Sequence, residues 1–169
     1  MEDVGKPRKI DGKKSEKKAD KSTFIVKERK NSEFVYNKNN TLMLTISAYE
    51  LNSARDGYTP VKLNNMKLLD SMVKKNIYPH FKSYANTDES FSIGLYSDIE
   101  GNIKEICISY PKEAKLPIMA TESFEDDVLS SDLKLIFDKN ISYFRGTTSV
   151  DISCYYSIGF MQKGFIRKK

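Results

Sequence analysis

The sequence predicts an α+β domain in which an antiparallel sheet carries two helices on one face, with a β meander ahead of it. Several segments alternate apolar and polar residues with the period of two that is typical of a half-buried strand. Two other segments repeat apolar residues at helical spacing, and polar or proline-containing turns separate them from the strands. Hydrophobic residues make up 39% of the 169 residues, which suffices for one core of ordinary size.

Charge separates the two ends of the chain from its middle. The net charge is +5, but residues 1–22 and 163–169 carry the basic excess, which leaves the middle slightly acidic. Residues 1–22 hold almost nothing apolar, and such a segment does not bury enough surface to offset its ordering entropy. We therefore expect a disordered basic tail over 1–22, a single domain over 23–162 and a basic C-terminal tail over 163–169.

The first predicted elements are short antiparallel strands that follow the N-terminal tail. Phe24 and Val26 alternate with Ile25 and Lys27, and the polar turns "RKNSE" and "NKNN" flank the short apolar sequence "FVY". The run "TLMLTISAY" alternates again and predicts a further strand of the meander. A loop is expected over 52–60.

A first helix is predicted after this loop. Its apolar residues fall at i, i+3, i+7 and i+11 and are Met66, Leu69, Val73 and Ile77. Pro79 is expected to end this helix, because its ring does not fit into a continuing helix.

The sequence "FSIGLYSDIEGNIKEICISY" predicts a β-hairpin over 91–110. The apolar face of the two strands would be formed by Phe91, Ile93, Leu95, Ile106, Ile108 and Tyr110. An apolar face opposite a polar one is typical of a sheet covered on a single face. In the turn, Asp98, Glu100 and Asn102 carry oxygen atoms, but calcium loops need six or more oxygen ligands. We interpret the hairpin as scaffold.

The acidic sequence "SFEDDVL" predicts the start of a second helix. Ser123 is expected to be its N-cap, with Glu125, Asp126 and Asp127 in the first turn, where the helix dipole favours anions. This chemistry accounts for the acidic cluster without a metal or acid/base site. The buried stripe would be formed by Leu129, Leu133, Ile136 and Phe137.

The run "SVDISCYYSIGF" predicts a last strand that reaches Phe160, with Cys154 on its core side. Cys107 falls on the polar side of its own strand, so the two side chains are not expected to converge on a disulfide. We predict two free thiols. Two cysteines are also too few for a zinc site.

No catalytic constellation, phosphate-binding loop or dinucleotide motif is found. His80 is the single histidine and reads as a surface residue. We predict no catalytic, cofactor-binding or metal-binding residues and no cofactor.

Three tyrosines are candidates for exposed residues that could dock a sugar or a peptide, or that serve as ordinary strand residues. They are Tyr96, Tyr143 and Tyr155. No apolar run is long enough for a transmembrane helix, and the amino end lacks a signal segment. We therefore expect either a protein that stays in the cytoplasm or one whose leader has been removed, and composition does not separate the two.

The order helix, hairpin, acidic helix and final strand "VDISCYYSIGF" resembles a TonB C-terminal domain. In that family an Asp-x-x-Gly turn, here Asp98 to Gly101, joins two strands, and a helix crosses the sheet before the last strand. The chain resembles more closely a group of small, uncharacterised bacterial secreted proteins, a Bacteroides-like domain of unknown function, with an extra β segment ahead. The resemblance covers residues 61–160 well and residues 23–50 loosely. It implies export to the envelope or beyond and brings no catalytic residues.

These observations lead to the hypothesis of a non-enzymatic envelope or secreted module that binds a protein or a cell-envelope component. Binding would use an edge strand that accepts a partner strand, or the polar outer face of the sheet. The alternative is association with nucleic acid through the basic tails. Nucleic acid is the less favoured partner, because a nucleic-acid binder usually places Lys and Arg on its folded face. An enzyme would need His80 or a carboxylate pair in a cleft.

Overall fold

A six-stranded antiparallel sheet forms the centre of this protein. The computed structural model describes residues 4–47, 49, 60–140, 144 and 146–164. Their strands and helices are β1 (Lys13–Lys18), β2 (Thr23–Glu28), β3 (Ser32–Asn37), β4 (Lys62–Leu63), α1 (Met66–Asn76), α2 (Tyr78–Phe81), β5 (Ser90–Ser97), β6 (Ile103–Pro111), α3 (Ile118–Leu129), β7 (Leu135–Ile136), β8 (Val150–Ser157) and α4 (Ile158–Gly164). The large sheet has the order β1-β2-β3-β6-β5-β8, and β4 pairs with β7 in a separate two-stranded ladder. The predicted α+β class, with an antiparallel sheet and an N-terminal β meander, is confirmed.

One face of the sheet, here called the inner face, packs against α1 and α3. Strand alternation places Phe91, Ile93 and Leu95 on this face, and all three are buried as predicted. The same core cluster includes Leu69 and Val73 of α1 and Phe124 and Val128 of α3. Full burial of such a side chain contributes roughly 1.5–3 kcal/mol, so this face supplies most of the apolar stabilisation.

Helix α1 forms where the sequence predicts it. The Asn65 side chain caps its start by accepting from the Leu68 N–H at 3.1 Å. Pro79 lies just after the end of α1, in the first turn of the short helix α2. Its missing N–H breaks no helical hydrogen bond there, because the first N–H groups of a helix have no partner within the helix.

The outer face of the sheet is partly covered by the chain itself. Residues 5–10 and 42–47 lie side by side across it, joined by hydrogen bonds from the Arg8 N–H to Leu44 O at 2.6 Å and from the Ile46 N–H to Lys6 O at 2.9 Å. We call these two segments the outer cover. Beneath them lies a second small core of Ile25, Tyr36, Met43 and Cys107. Both faces are therefore covered here, whereas the alternation predicted cover on a single face.

The structure differs from the predicted disordered tail over 1–22. Residues 13–18 form β1, which pairs with β2 from Lys13↔Glu28 to Lys18↔Thr23. All six β1 side chains are exposed, so composition correctly indicates that the segment buries little. Backbone pairing with a neighbouring strand holds it in place instead.

The predicted strand "TLMLTISAY" is wrong over the described residues. Leu42–Leu44 form a 3₁₀ turn, and Thr45 makes only an isolated bridge to Pro7. The physical reason is the Glu105 carboxylate, which accepts the N–H groups of this turn and curls the chain around itself.

The second helix begins and ends earlier than predicted. It starts at Ile118, directly after Pro117, and ends at Leu129. The Ser130 and Ser131 hydroxyls donate to the carbonyls of Asp126 and Val128, both at 2.7 Å, so they compete with further helical bonds. Leu129 and Ile136 are exposed rather than part of a buried stripe, and Ile136 belongs to β7.

The last strand ends at Ser157, before the predicted limit at Phe160. The Gly159 N–H bonds to Thr87 O at 3.2 Å, and a side chain on Gly159 would meet that carbonyl at 2.7 Å. This close approach draws the chain out of the sheet and into α4. The expected loop over 52–60, apart from Pro60, and residues 165–169 of the expected C-terminal tail lie outside the described residues.

Candidate functional site

Strand β8 lies at one edge of the large sheet, and its far side carries no further strand in the part of the chain that the structure describes. Its pairing with β5 begins at Ser90↔Ser157 and continues into the hydrogen bond from the Ile158 N–H to Glu89 O at 3.1 Å. Hydrogen-bonded pairs alternate along an antiparallel ladder. The even-numbered residues of β8 therefore bond to β5, and the odd-numbered N–H groups point away from the sheet.

Ser153 and Tyr155 are the odd-numbered residues in the middle of this edge. Neither backbone N–H has a hydrogen-bond partner among the described residues. Strand β8 is eight residues long, contains neither Lys nor Pro, and pairs with β5 without a bulge. Lysine, proline and bulges are the usual means by which proteins block an edge, and β8 has none of these three features.

The opposite edge of the sheet is formed by β1 and is rich in lysine. Strand β1 has the sequence KKSEKK, and all six side chains are exposed. Lysines at an edge discourage the addition of a further strand. The two edges of one sheet are therefore chemically unequal.

A groove on the outer face lies next to β8 and beside the outer cover. Its volume is about 410 Å³. Small side chains from neighbouring strands lie along it, namely Ser90, Ser92 and Ser109, and Ser92 is paired with both Ser109 and Tyr155. Tyr155 and Asn31 line its two sides. The concavity follows from three small residues between larger ones.

The groove is acidic and rich in hydroxyl groups. Among the described residues, Asp88 and Glu89 are its only charged lining residues. Glu89 accepts the hydroxyl of Tyr84, and this bond raises the pKa of Tyr84 to about 12. In the described part of the chain, the side chains of Asp88, Asn31 and the three serines make no hydrogen bond, so their polar groups remain available to a ligand.

The acidic residues of α3 do not form the predicted helix cap. Ser123 lies in the middle of the helix and is exposed, and the N-cap position is Pro117. The prediction of Ser123 as N-cap is wrong because the helix begins five residues before it.

Glu122 is buried and holds the turn between β1 and β2. Its carboxylate accepts the backbone N–H groups of Asp20, Lys21 and Ser22 at 3.2, 2.9 and 2.8 Å. A carboxylate with three donors is well satisfied despite its burial, so Glu122 has a structural role.

The other α3 carboxylates bond to separate partners. Glu125 accepts from the Asn37 amide at 2.8 Å, and burial raises the pKa of Glu125 above its ordinary value. Asp127 accepts from the Asn76 amide at 2.9 Å, which lowers the pKa of Asp127. These acids join α3 to its surroundings and share no common site.

Glu105 is a buried carboxylate on the outer face that the sequence reasoning placed toward solvent. It accepts the N–H groups of Thr41, Leu42 and Met43 at 2.6, 2.9 and 2.9 Å. Because its donors lie more than sixty residues earlier in the chain, no local pattern marks this residue.

In the turn between β5 and β6, the Asp98 carboxylate accepts hydrogen bonds from N–H groups of the turn itself. Asp98 accepts the N–H groups of Glu100 and Asn102 at 2.9 and 3.0 Å. Gly101 has φ +85°, and a side chain there would come within 2.2 Å of Leu135 O. The turn is thus closed on itself and against β7.

The two cysteines lie on opposite faces of the sheet, and both are buried free thiols, as strand parity predicts. Burial raises the pKa of Cys107 to about 12.

His80 is exposed in α2. Of the tyrosines, Tyr155 is 55% exposed beside the groove, Tyr96 packs on the outer-face core, and Tyr143 lies outside the described residues.

Within the described residues, no group of three or more His, Cys, Asp or Glu side chains is arranged to hold a metal ion. None of the helices in these residues has the length and apolar character needed to cross a membrane.

Comparison with known proteins shows a similarity to a solved structure. No protein-family model matches the chain, and no curated protein matches it. Among solved structures, the fold is similar to the crystal structure of a DUF5043 family protein from Bacteroides uniformis, with a TM-score of 0.60. The alignment covers 93% of this chain and 92% of that chain at 13% identity. The shared fold supports the expected Bacteroides-like domain, while the likeness to a TonB C-terminal domain stays a prediction.

Proposed function

We propose that this protein is a non-enzymatic binding module that takes up an extended segment of a partner protein as an additional strand beside β8. The observation that carries the proposal is the contrast between the two edges of the sheet. Strand β1 is protected by lysines, while β8 offers the N–H groups of Ser153 and Tyr155 with no such protection. Main-chain bonds to an open edge are the basis of strand addition.

The rigidity of β8 supports this mode of binding. On the inner face the Tyr156 ring stacks on Phe91 with a centroid distance of 5.2 Å, and its hydroxyl donates to Asp70 of α1 at 2.7 Å. A strand held in this way loses little entropy when a partner binds, which favours affinity.

The side chains of β8 define the partner segment. Ile152 is partly exposed on the inner-face side, whereas Ser153 and Tyr155 lie on the outer-face side. A complementary strand would alternate apolar and polar residues, with its apolar residues beside Ile152. Location in the envelope or outside the cell, which the sequence resemblance implies, is part of this proposal.

A phage-displayed library of random ten-residue peptides, selected on the immobilised protein, tests the proposal. We expect selected peptides with alternating apolar residues. Their affinity should fall by at least about tenfold for Ser153→Pro, because proline removes one outward N–H bond and places its ring at the docking edge. Ser153→Ala keeps the N–H and is the matched control, for which we expect unchanged affinity.

Thermal unfolding monitored by circular dichroism shows whether each variant is folded, and Ser153→Lys, which keeps the backbone N–H, replaces the proline variant if that one is not. Loss of binding in either folded variant supports strand addition. Failure to enrich any peptide, or equal affinity of selected peptides for all variants, would contradict it.

We do not extend the proposal to nucleic acid. Strand β1 presents four lysines but no aromatic side chain on which a base could stack.

A further inference from the structure

The groove on the outer face is separate from the backbone edge of β8 and has the dimensions of a small-molecule site. Its volume of about 410 Å³ falls within the roughly 300–1,000 Å³ that is usual for such sites. The outer cover does not fill it, and the serines along it leave space that larger strand residues would occupy.

The lining polar groups determine which ligands fit. Each of the hydroxyls of Ser90, Ser92 and Ser109 can donate one hydrogen bond and accept two, and Asn31 adds an amide. An apolar ligand would remove water from these groups without replacing its hydrogen bonds, at a substantial cost. The occupant must therefore carry many hydroxyl groups of its own.

The acidic residues of the groove also restrict the charge of the ligand that it can bind. Asp88 and Glu89 are the charged groups that line the groove, and no Lys, Arg or His of the residues that the structure describes lines it. Phosphates, acidic sugars and nucleic acids would meet like charge here. A neutral ligand whose hydroxyls donate to Asp88 is the complementary partner.

Tyr155 supplies an apolar surface at the side of the groove. Its side chain is 55% exposed and stands opposite Ser92 in the strand register. An exposed aromatic ring beside polar groups suits a flat ligand with one C–H face and hydroxyls around its rim. A pyranose ring has this form.

We propose that the groove binds a neutral saccharide, with a pyranose ring against Tyr155 and sugar hydroxyls bonded to Ser92, Ser109 and Asp88. This site shares Tyr155 with the β8 edge but differs from strand addition, since it uses outer-face side chains rather than outward backbone N–H groups.

Isothermal titration with a panel of neutral oligosaccharides of glucose, mannose, galactose, xylose and N-acetylglucosamine tests the proposal, with oligogalacturonate as the acidic counterpart. At least one neutral member should bind saturably, and more tightly than oligogalacturonate. Tyr155→Ala should weaken that binding about tenfold, because the ring face is lost, whereas Tyr155→Phe keeps the ring and should stay within about threefold.

Ser109→Val is the second variant. Valine is well accepted in a strand, and its two methyl groups fill the groove and remove a hydroxyl, so we expect binding to be lost while the unfolding temperature is kept. Ser153→Pro should leave saccharide binding within about threefold, which separates this site from the β8 edge. The proposal is overturned if no neutral member binds, if oligogalacturonate binds as well as the neutral sugars, or if both Tyr155→Ala and Ser109→Val leave the affinity unchanged.

Discussion

Three buried glutamates show how differently one residue type is used in this fold. Glu105 and Glu122 each accept three backbone N–H groups, whereas Glu125 accepts only from the Asn37 amide within the described part of the chain. Burial penalises a charged carboxylate unless hydrogen bonds compensate it. The first two are therefore structural anchors, and Glu125 is a buried acid whose charge is poorly compensated.

We expect Glu125→Gln to stabilise the protein at neutral pH by about 1 kcal/mol, because it removes a poorly compensated charge and its amide oxygen can still accept from Asn37. Burial raises the folded-state pKa of Glu125 above the ordinary value of 4.5. The stability linked to its proton is thus fully present below pH 4.5 and is lost as the pH rises through the folded pKa. The gain from Glu125→Gln should accordingly disappear near pH 4, which urea unfolding at pH 7 and pH 4 would measure.

Glu122→Gln is the matched control, three residues earlier on the same helix. It replaces one acceptor oxygen by a donor facing backbone N–H groups, so we expect a loss of about 1–3 kcal/mol at pH 7. Equal losses for both glutamine variants at pH 7 would contradict the assignment of Glu125 as the poorly compensated acid.

At the scale of elements, the outer cover is the least regular part of the fold and still encloses a core. Met43 is completely buried beneath it, beside Ile25, Tyr36 and Cys107. Irregular backbone over a sheet needs such apolar contacts to stay in place, so the stability of the cover depends on a few side chains.

We expect Met43→Ala to destabilise the protein by about 2–5 kcal/mol, because it leaves a cavity beneath the outer cover. Met119 is 51% exposed on α3, and Met119→Ala should change stability by no more than about 0.5 kcal/mol. Urea unfolding of both variants measures the difference. Similar losses for the two would mean that the outer cover contributes little to the stability of the fold.

The elements that sequence patterns predict are those decided by nearby residues. Helix α1 has a local cap at Asn65, and β5 and β6 are neighbours joined by a tight turn. The 3₁₀ turn at Leu42–Leu44 depends on Glu105, and the placement of β1 depends on Glu122, both far along the chain. Alternation and composition carry no information about such distant partners.

At the scale of the whole molecule, many of the basic residues lie on strands of the sheet rather than on disordered tails. Residues 4–30 hold eleven basic and four acidic residues, and they include the strands β1 and β2. The lysines of β1 are exposed at the edge of the sheet, and charged residues at an edge discourage pairing with a second molecule.

Replacing these edge lysines by threonine should therefore cause self-association. The edge variant changes Lys13, Lys14, Lys17 and Lys18, and threonine keeps strand propensity while it removes charge. We expect dimers or larger species that increase with concentration in analytical ultracentrifugation. The charge-matched control changes four exposed lysines elsewhere, namely Lys67, Lys74, Lys82 and Lys134, and should stay as monomeric as the unmodified protein. Equal association of both variants would attribute the effect to net charge alone.

The candidate sites are visible in the sequence only in part. Alternation identifies the segment of β8, and its tyrosine at position 155 is a reasonable docking residue. The position of β8 at the edge, and the meeting of Ser92 with Ser109 and Tyr155, follow from the order of strands in the sheet. Strand order is a property of the whole molecule, and hydropathy patterns do not encode it.

The pairing of β3 with β6 also affects how the chain is made. Val35 faces Ile108 in this ladder, so the N-terminal hairpins leave the ribosome long before their central partner. At roughly 5–20 residues per second, the interval is on the order of ten seconds. During that time the apolar sides of β2 and β3 have no sheet to join, and we expect the exposed lysines of β1 to oppose aggregation of this nascent segment.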